Sequence, residues 1–267
     1  MKLCRPLALA LAAFCVPAQA YEQKDLARLE ASGSCEGCDL RNLNLAGLKI
    51  ENANLKRALL TEAEIKEAEL LAADLEGADL QRAVLEKAQL MGSLMRGAKL
   101  YGADLEKADL RGANLNEADL READLEEANL ENATLVAADL RGVLLKRARL
   151  DGADLSSAKL MSVVLERGSF IGAKFVKARL NGAHLRRATL RQADLREADL
   201  SWTNLSRADF SGADLRGAQL EGAYLFRADF SGAHLSNVKG LEQRKLDQAC
   251  GDDATKLPPG LTVPRCQ

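Results

Sequence analysis

ADLEK-ADLRG-ANLNE-ADLRE-ADL, residues 103–125, holds the key to the fold. A Leu, or an Ile, Met or Phe in its place, recurs at every fifth residue from Leu40 to Leu235, and Ala stands two residues before most of them. The unit A(D/N)LxX, as in Ala73-Asp74-Leu75 and Ala213-Asp214-Leu215, is repeated forty times. Repetition on this scale decides the architecture before any local propensity does.

A period of five suits neither ordinary element. On an α-helix successive Leu residues would rotate by roughly 140° and smear around the whole surface. On a flat strand, where side chains alternate, every second Leu would face water. The conflict disappears if the chain turns a corner in each repeat, so that Leu and the Ala before it always point inward. Such coils stack with their backbones paired as parallel strands, and bury a continuous Leu/Ala interior that no single repeat buries alone.

These residues make the chain resemble the pentapeptide repeat family, as an exported bacterial member. The resemblance implies an all-β fold, a right-handed quadrilateral parallel β-helix with four repeats per coil. About ten coils at the usual strand spacing give a rod of roughly 48 Å. Ser93, Val143, Val163, Gly168 and Thr203 replace Ala, and Met95 replaces Leu. Local bulges are expected there, without a break in the helix. The predicted organisation is a signal peptide over 1–20, an N-terminal cap over 21–37, the repeat helix over 38–238 and a C-terminal cap over 239–267.

The signal peptide rests on Lys2 and Arg5, the apolar run Leu7 to Val16, and the cleavage motif Ala18-Gln19-Ala20. Cleavage after Ala20 leaves a periplasmic or secreted chain starting at Tyr21. The run is too short for a membrane span, and Phe14 before Cys15 disfavours a lipoprotein. Cys35, Cys38, Cys250 and Cys266 remain, at the two ends of the rod. Four cysteines allow three pairings, which the sequence alone does not decide. The distance between the ends favours structural disulfides Cys35–Cys38 and Cys250–Cys266; a redox-active Cys-x-x-Cys is the alternative.

Terminal caps protect the open ends of stacked coils. A short helical stretch over 21–34, ending at Ser32-Gly33-Ser34, is expected at one end. At the other, 240–249 reads as a second short helix, followed by an extended tail set by Pro258, Pro259 and Pro264. The family resemblance leaves homodimerisation through a capped end open.

Catalysis finds little support. His184 and His234 fall on different faces, and the acidic residues occupy repetitive outward positions, so no catalytic, cofactor or metal site is expected. Instead the surface is electrically divided: residues 51–140 carry 20 acidic and 10 basic side chains, whereas 141–240 carry 10 and 17. A twenty-residue coil stacks Arg147, Arg167, Arg187, Arg207 and Arg227 along one edge, a candidate ladder for an anionic protein or envelope polymer. The Asp two residues on, as in Arg207-Ala208-Asp209, is the competing intramolecular partner. Trp202, the only Trp, and Tyr224 form a candidate exposed aromatic contact beside Gly182 and Gly222; the competing reading has the indole simply shield the bare backbone. The function expected is a non-catalytic exported structural or protein-interaction scaffold. The alternative, which the resemblance supplies, is a DNA-mimicking binder of type II topoisomerase, but mimicry of phosphate charge needs a dominantly acidic surface. Nucleic-acid binding itself is disfavoured by the formal charge of −2 and an aromatic content of 4%.

Overall fold

A computed structural model describes the backbone of residues 18–266 and the side chains of residues 24–266. Residues 1–17, which carry most of the predicted signal peptide, lie outside the described residues.

Helix α1 (Ala18–Ser32) leads into a coil that repeats every twenty residues. Parallel bridges join Ser34 to Asn54, Asp39 to Leu59, and so on in unbroken register to Gln219 and Lys239. Each five-residue side spends two residues on a turn and contributes one bridged residue, so the ladder is made of single bridges and not of the extended strands the sequence suggests. Four such sides close a coil. The Leu N–H bonds forward to the next coil, as in Leu105 to Asp124 at 2.7 Å, and the outward residue before it bonds back, as in Asp104 to Ala83 at 3.0 Å.

Inside the coil the Ala and Leu positions are shut off from water from Ala53 to Leu235. Burial of a Leu side chain contributes about 1.5–3 kcal/mol, and the repeat supplies one such side chain per corner. Phe210 and Phe230, one coil apart, stack with centroids 5.1 Å apart. Gly168 replaces Ala where Phe170 needs the room, since a Cβ there would lie 2.7 Å from Cε2 of that ring.

The bulges expected at Ser93, Met95, Val143, Val163, Gly168 and Thr203 do not occur. The bridges continue through all six, and the exchanged side chains stay buried within the coil. The accommodation is visible in smaller ways. Thr203 donates its hydroxyl to Leu200 O at 2.6 Å, while the Ser93 hydroxyl is buried without a partner. Val143 and Val163 stack one coil apart. There, among the described residues, the Val163 N–H bond to Leu160 O and the Val164 N–H bond to Val143 O, which neighbouring coils make at the same places, are missing.

The two ends fare differently against expectation. At the N-terminal end Leu29 of α1 is fully buried against the first coil, and Asp39 N–H donates to the Asp25 carboxylate at 2.9 Å. At the other end α2 spans only Gln243–Leu246, shorter than the expected helix over 240–249. Gly240 holds φ of 71°, a left-handed conformation outside the α-helix, where it is pressed onto the preceding coil and a Cβ would lie 2.5 Å from Glu221 N. Nor is the rest a plain extended tail: Asp229 bridges Cys250, His234 bridges Lys256, and Gly251 bridges Arg265. α2 is thus an insertion in a coil that resumes after it.

Candidate interaction surface

Every outward side chain stands on a lattice set by the turn, so the chemistry of the turn comes first. The Asp or Asn before the Leu accepts the N–H of the residue two positions on: Asp104 from Glu106 at 3.0 Å, Asn114 from Asn116 at 3.1 Å, Asp124 from Glu126 at 2.9 Å. That is the Asx-turn, and it explains why Asp and Asn fill this position. The sequence pattern displays the preference, but its cause emerges only once the turn is seen.

Where the residue two positions on is Arg, the same carboxylate also binds the guanidinium with both oxygens. Arg121 Nε and Nη2 donate to Asp119 at 2.7 and 2.7 Å, and Arg111, Arg141, Arg196 and Arg216 repeat the clamp on Asp109, Asp139, Asp194 and Asp214. Hydrogen bonding from the guanidinium holds these five carboxyls below the ordinary aspartate range. Glu86, hydrogen-bonded by Lys87 and Lys66, is held down to about 2.

The ladder residues occupy the next position of the turn and meet a different environment. Arg147, Arg167, Arg187, Arg207 and Arg227 all adopt φ of 57–60°, the left-handed conformation that directs them off the corner. In the first half of the same column acids stand among the bases and pair with them: Lys87 with Glu67 at 3.9 Å, then Glu127 with Lys107 at 4.0 Å and with Arg147 at 3.2 Å. Beyond Arg147 no acid follows. Among the described residues Arg167, Arg187 and Arg207 make no side-chain hydrogen bond or ion pair, and Arg227 lies over the Phe226 ring at 6.0 Å. Glu166 turns to Arg186, at 3.5 Å. The expected neutralisation by the Asp two residues on is not made either. Asp209 and Asp229 accept the N–H groups of Ser211 and Ser231 at 2.9 and 2.8 Å, and their hydroxyls at 2.5 and 2.6 Å. The Asp belongs to the turn after it, not to the Arg before it.

Trp202 and Tyr224 are brought together at the α2 end of the same face. The indole lies against Gly222, where a Cβ would come 2.4 Å from Cδ2 and Cε3, yet the residue stays 70% exposed. One ring face covers the backbone and the other looks outward, so shielding and exposure coexist. Tyr224 stacks on Phe226 at 6.2 Å and 13°. Around Trp202 and Tyr224 lies an open groove of about 440 Å³ whose far wall is Glu242, Arg244, Lys245 and Gln248.

Among the described residues the cysteines are joined as Cys35–Cys38 and Cys250–Cys266. Asp25 and Asp229 have a carboxylate oxygen within 4.8 Å of these sulfurs, but sulfurs spent on a disulfide offer no thiolate to a metal. His184 bridges Val164 and Asn204, whereas His234 bridges Asp214 and Lys256 on another side of the coil. No helix of the described residues is long and apolar enough to cross a membrane.

With this geometry in place, the chain compares with known proteins as follows. A family model described as pentapeptide repeats matches in eight copies, over residues 38–70, 58–97, 73–112, 98–135, 128–167, 169–201 and 203–239. Among solved structures, the chain is similar to HetL, a pentapeptide repeat protein involved in heterocyst differentiation regulation in the cyanobacterium Nostoc sp. strain PCC 7120. The two are 32% identical over 86% of this chain and 96% of HetL, with a TM-score of 0.70. A pentapeptide repeat protein of the Arabidopsis thaliana thylakoid lumen is 29% identical over 46% of this chain and 70% of its own, with a TM-score of 0.32. QnrB1, a plasmid-mediated fluoroquinolone resistance protein, is 20% identical over 79% and 90%, with a TM-score of 0.38. No curated protein matches significantly.

Proposed function

Because the chain belongs to the pentapeptide repeat family and shares its right-handed quadrilateral β-helix, we propose that it is an exported, non-catalytic scaffold that binds an anionic partner along one corner. The scaffold would be a rod of about ten coils at the usual strand spacing, closed by α1 at one end and by α2 with the Cys250–Cys266 segment at the other. Lys2, Arg5, the apolar run after them and Ala18-Gln19-Ala20 support export, and disulfides at both ends suit an oxidising compartment.

One observation carries the binding role: Arg167, Arg187 and Arg207 stand one coil apart on a single corner without an acidic partner. Guanidinium groups about 4.8 Å apart at their strands repel one another, and a row of anions laid along the corner relieves that repulsion. The planar fork of each Arg suits carboxylate or phosphate groups. The basic second half runs against the topoisomerase alternative, since a duplex mimic needs acid there.

The test is charge reversal. Arg167→Glu with Arg187→Glu is expected to abolish retention on an anionic resin at low salt. Retention unchanged from the parent protein would remove the proposal.

A further inference from the structure

We infer that the groove between Trp202, Tyr224 and α2 binds a neutral hexopyranose, free or as a unit of a glycan. The inference stands apart from the arginine corner and rests on how the groove is built. Its floor is an indole held flat by Gly222, with the outer ring face bare. A ring fixed in this way presents an apolar platform that loses little freedom on binding. Polar groups stand around it without occupation. Among the described residues, neither the Glu221 carboxylate nor the Gln248 side-chain amide makes a hydrogen bond or ion pair. A carboxylate accepts and an amide both donates and accepts, so the rim offers what a set of hydroxyls requires.

The charge of the groove narrows the ligand class. Glu221 and Glu242 are matched by Arg244 and Lys245, and Arg244 Nε already donates to Glu242 at 2.6 Å. An anion meets Glu221, and a cation that stacks on the indole meets Arg244 and Lys245. A wholly apolar ligand would displace water from the exposed Glu221 and Gln248 and return no hydrogen bond. A pyranose ring escapes all three objections: its C–H face stacks on the indole, and its hydroxyls reach the rim. The volume of about 440 Å³ is of the size that small-ligand sites commonly have. Phe226, stacked on Tyr224 of the groove wall, carries the aromatic surface across the face toward Arg227, which gives a second sugar unit a place to lie.

Since Trp202 is the only Trp, its emission reports this site alone. The full chain is titrated with maltotetraose, cellotetraose and tetra-N-acetylchitotetraose to about 10 mM, which reaches weak millimolar affinity. A saturable change in emission with at least one of them is expected. Glu221→Gln weakens that binding by about tenfold, and so does Gly222→Ala, whose methyl group displaces the indole. Arg167→Glu with Arg187→Glu leaves it unchanged, which separates this site from the corner. Should Gly222→Ala fail to fold, Glu221→Gln carries the comparison. Emission flat with all three sugars, together with no saturation-transfer NMR signal from any of them, overturns the inference, as does parental affinity in Glu221→Gln.

Discussion

The two halves of the rod share one interior and differ in their dress. From Glu67 to Arg147 the corner column holds both signs and each base in it reaches an acid of the same column; from Arg167 to Arg227 it carries one sign and no acid. The inward Leu and Ala positions are fully buried in both. The difference teaches that this fold assigns stability and specificity to separate positions. Inward residues and the Asx-turn hold the coil, and the second residue of each turn is left to vary.

The largest effect tests the shared interior. Leu120→Ala and Leu190→Ala should each cost about 2–5 kcal/mol in urea unfolding, to a similar extent in the two halves. A markedly smaller cost in the second half would mean that the halves differ inside as well.

Next comes the backbone of the corner. Arg187 and Arg207 hold φ of 60° and 58°, a conformation that costs an L-residue roughly 1–2 kcal/mol and glycine almost nothing. Arg187→Gly and Arg207→Gly should therefore raise stability by up to about 1 kcal/mol each. Arg147→Gly should gain less, because it surrenders the pair with Glu127. Thermal unfolding of the three variants ranks them, and equal gains would show that the Glu127 pair contributes nothing.

Acid sharpens the contrast between clamped and free arginines. Asp119 and Asp139 are held below their ordinary value in the folded chain. They contribute stability above about pH 4, and it is lost as pH falls through their lowered folded-state values. Asp119→Asn with Asp139→Asn should flatten the stability profile over that acid range, whereas Arg167→Gly should leave its shape alone. The smallest effect is that of salt: screening should weaken the exposed pairs of the first half and relieve the repulsion in the second, each by no more than about 1 kcal/mol.

Much of this was legible beforehand, for a physical reason: a five-residue period with two inward positions admits few backbones. Forty repeats make that reading robust to Ser93 or Val163, whose substitutions the coil absorbs without a bulge. The corners were harder to read. The Asp after Arg207 looks like its partner in sequence, but turn geometry commits it to Ser211. That arrangement depends on which way a left-handed residue projects, and spacing alone does not reveal it. The short α2 was hidden for a similar reason, because the left-handed φ of Gly240, where the chain packs on Glu221, keeps that residue out of the helix. Trp202 and Tyr224 were visible as an exposed pair, whereas the wall formed by Glu242, Arg244, Lys245 and Gln248 requires the chain to return beside them.

The most direct test of the central claim compares two matched sets of glycine variants by isothermal titration with poly-glutamate. One set removes Arg167, Arg187 and Arg207; the other removes Lys87, Lys107 and Arg147, the same number of charges from the same column. Each replaces a left-handed residue by the one that best tolerates the conformation. The first set is predicted to abolish binding and the second to preserve it. Equal loss in both sets, or binding that survives the first, would contradict the account.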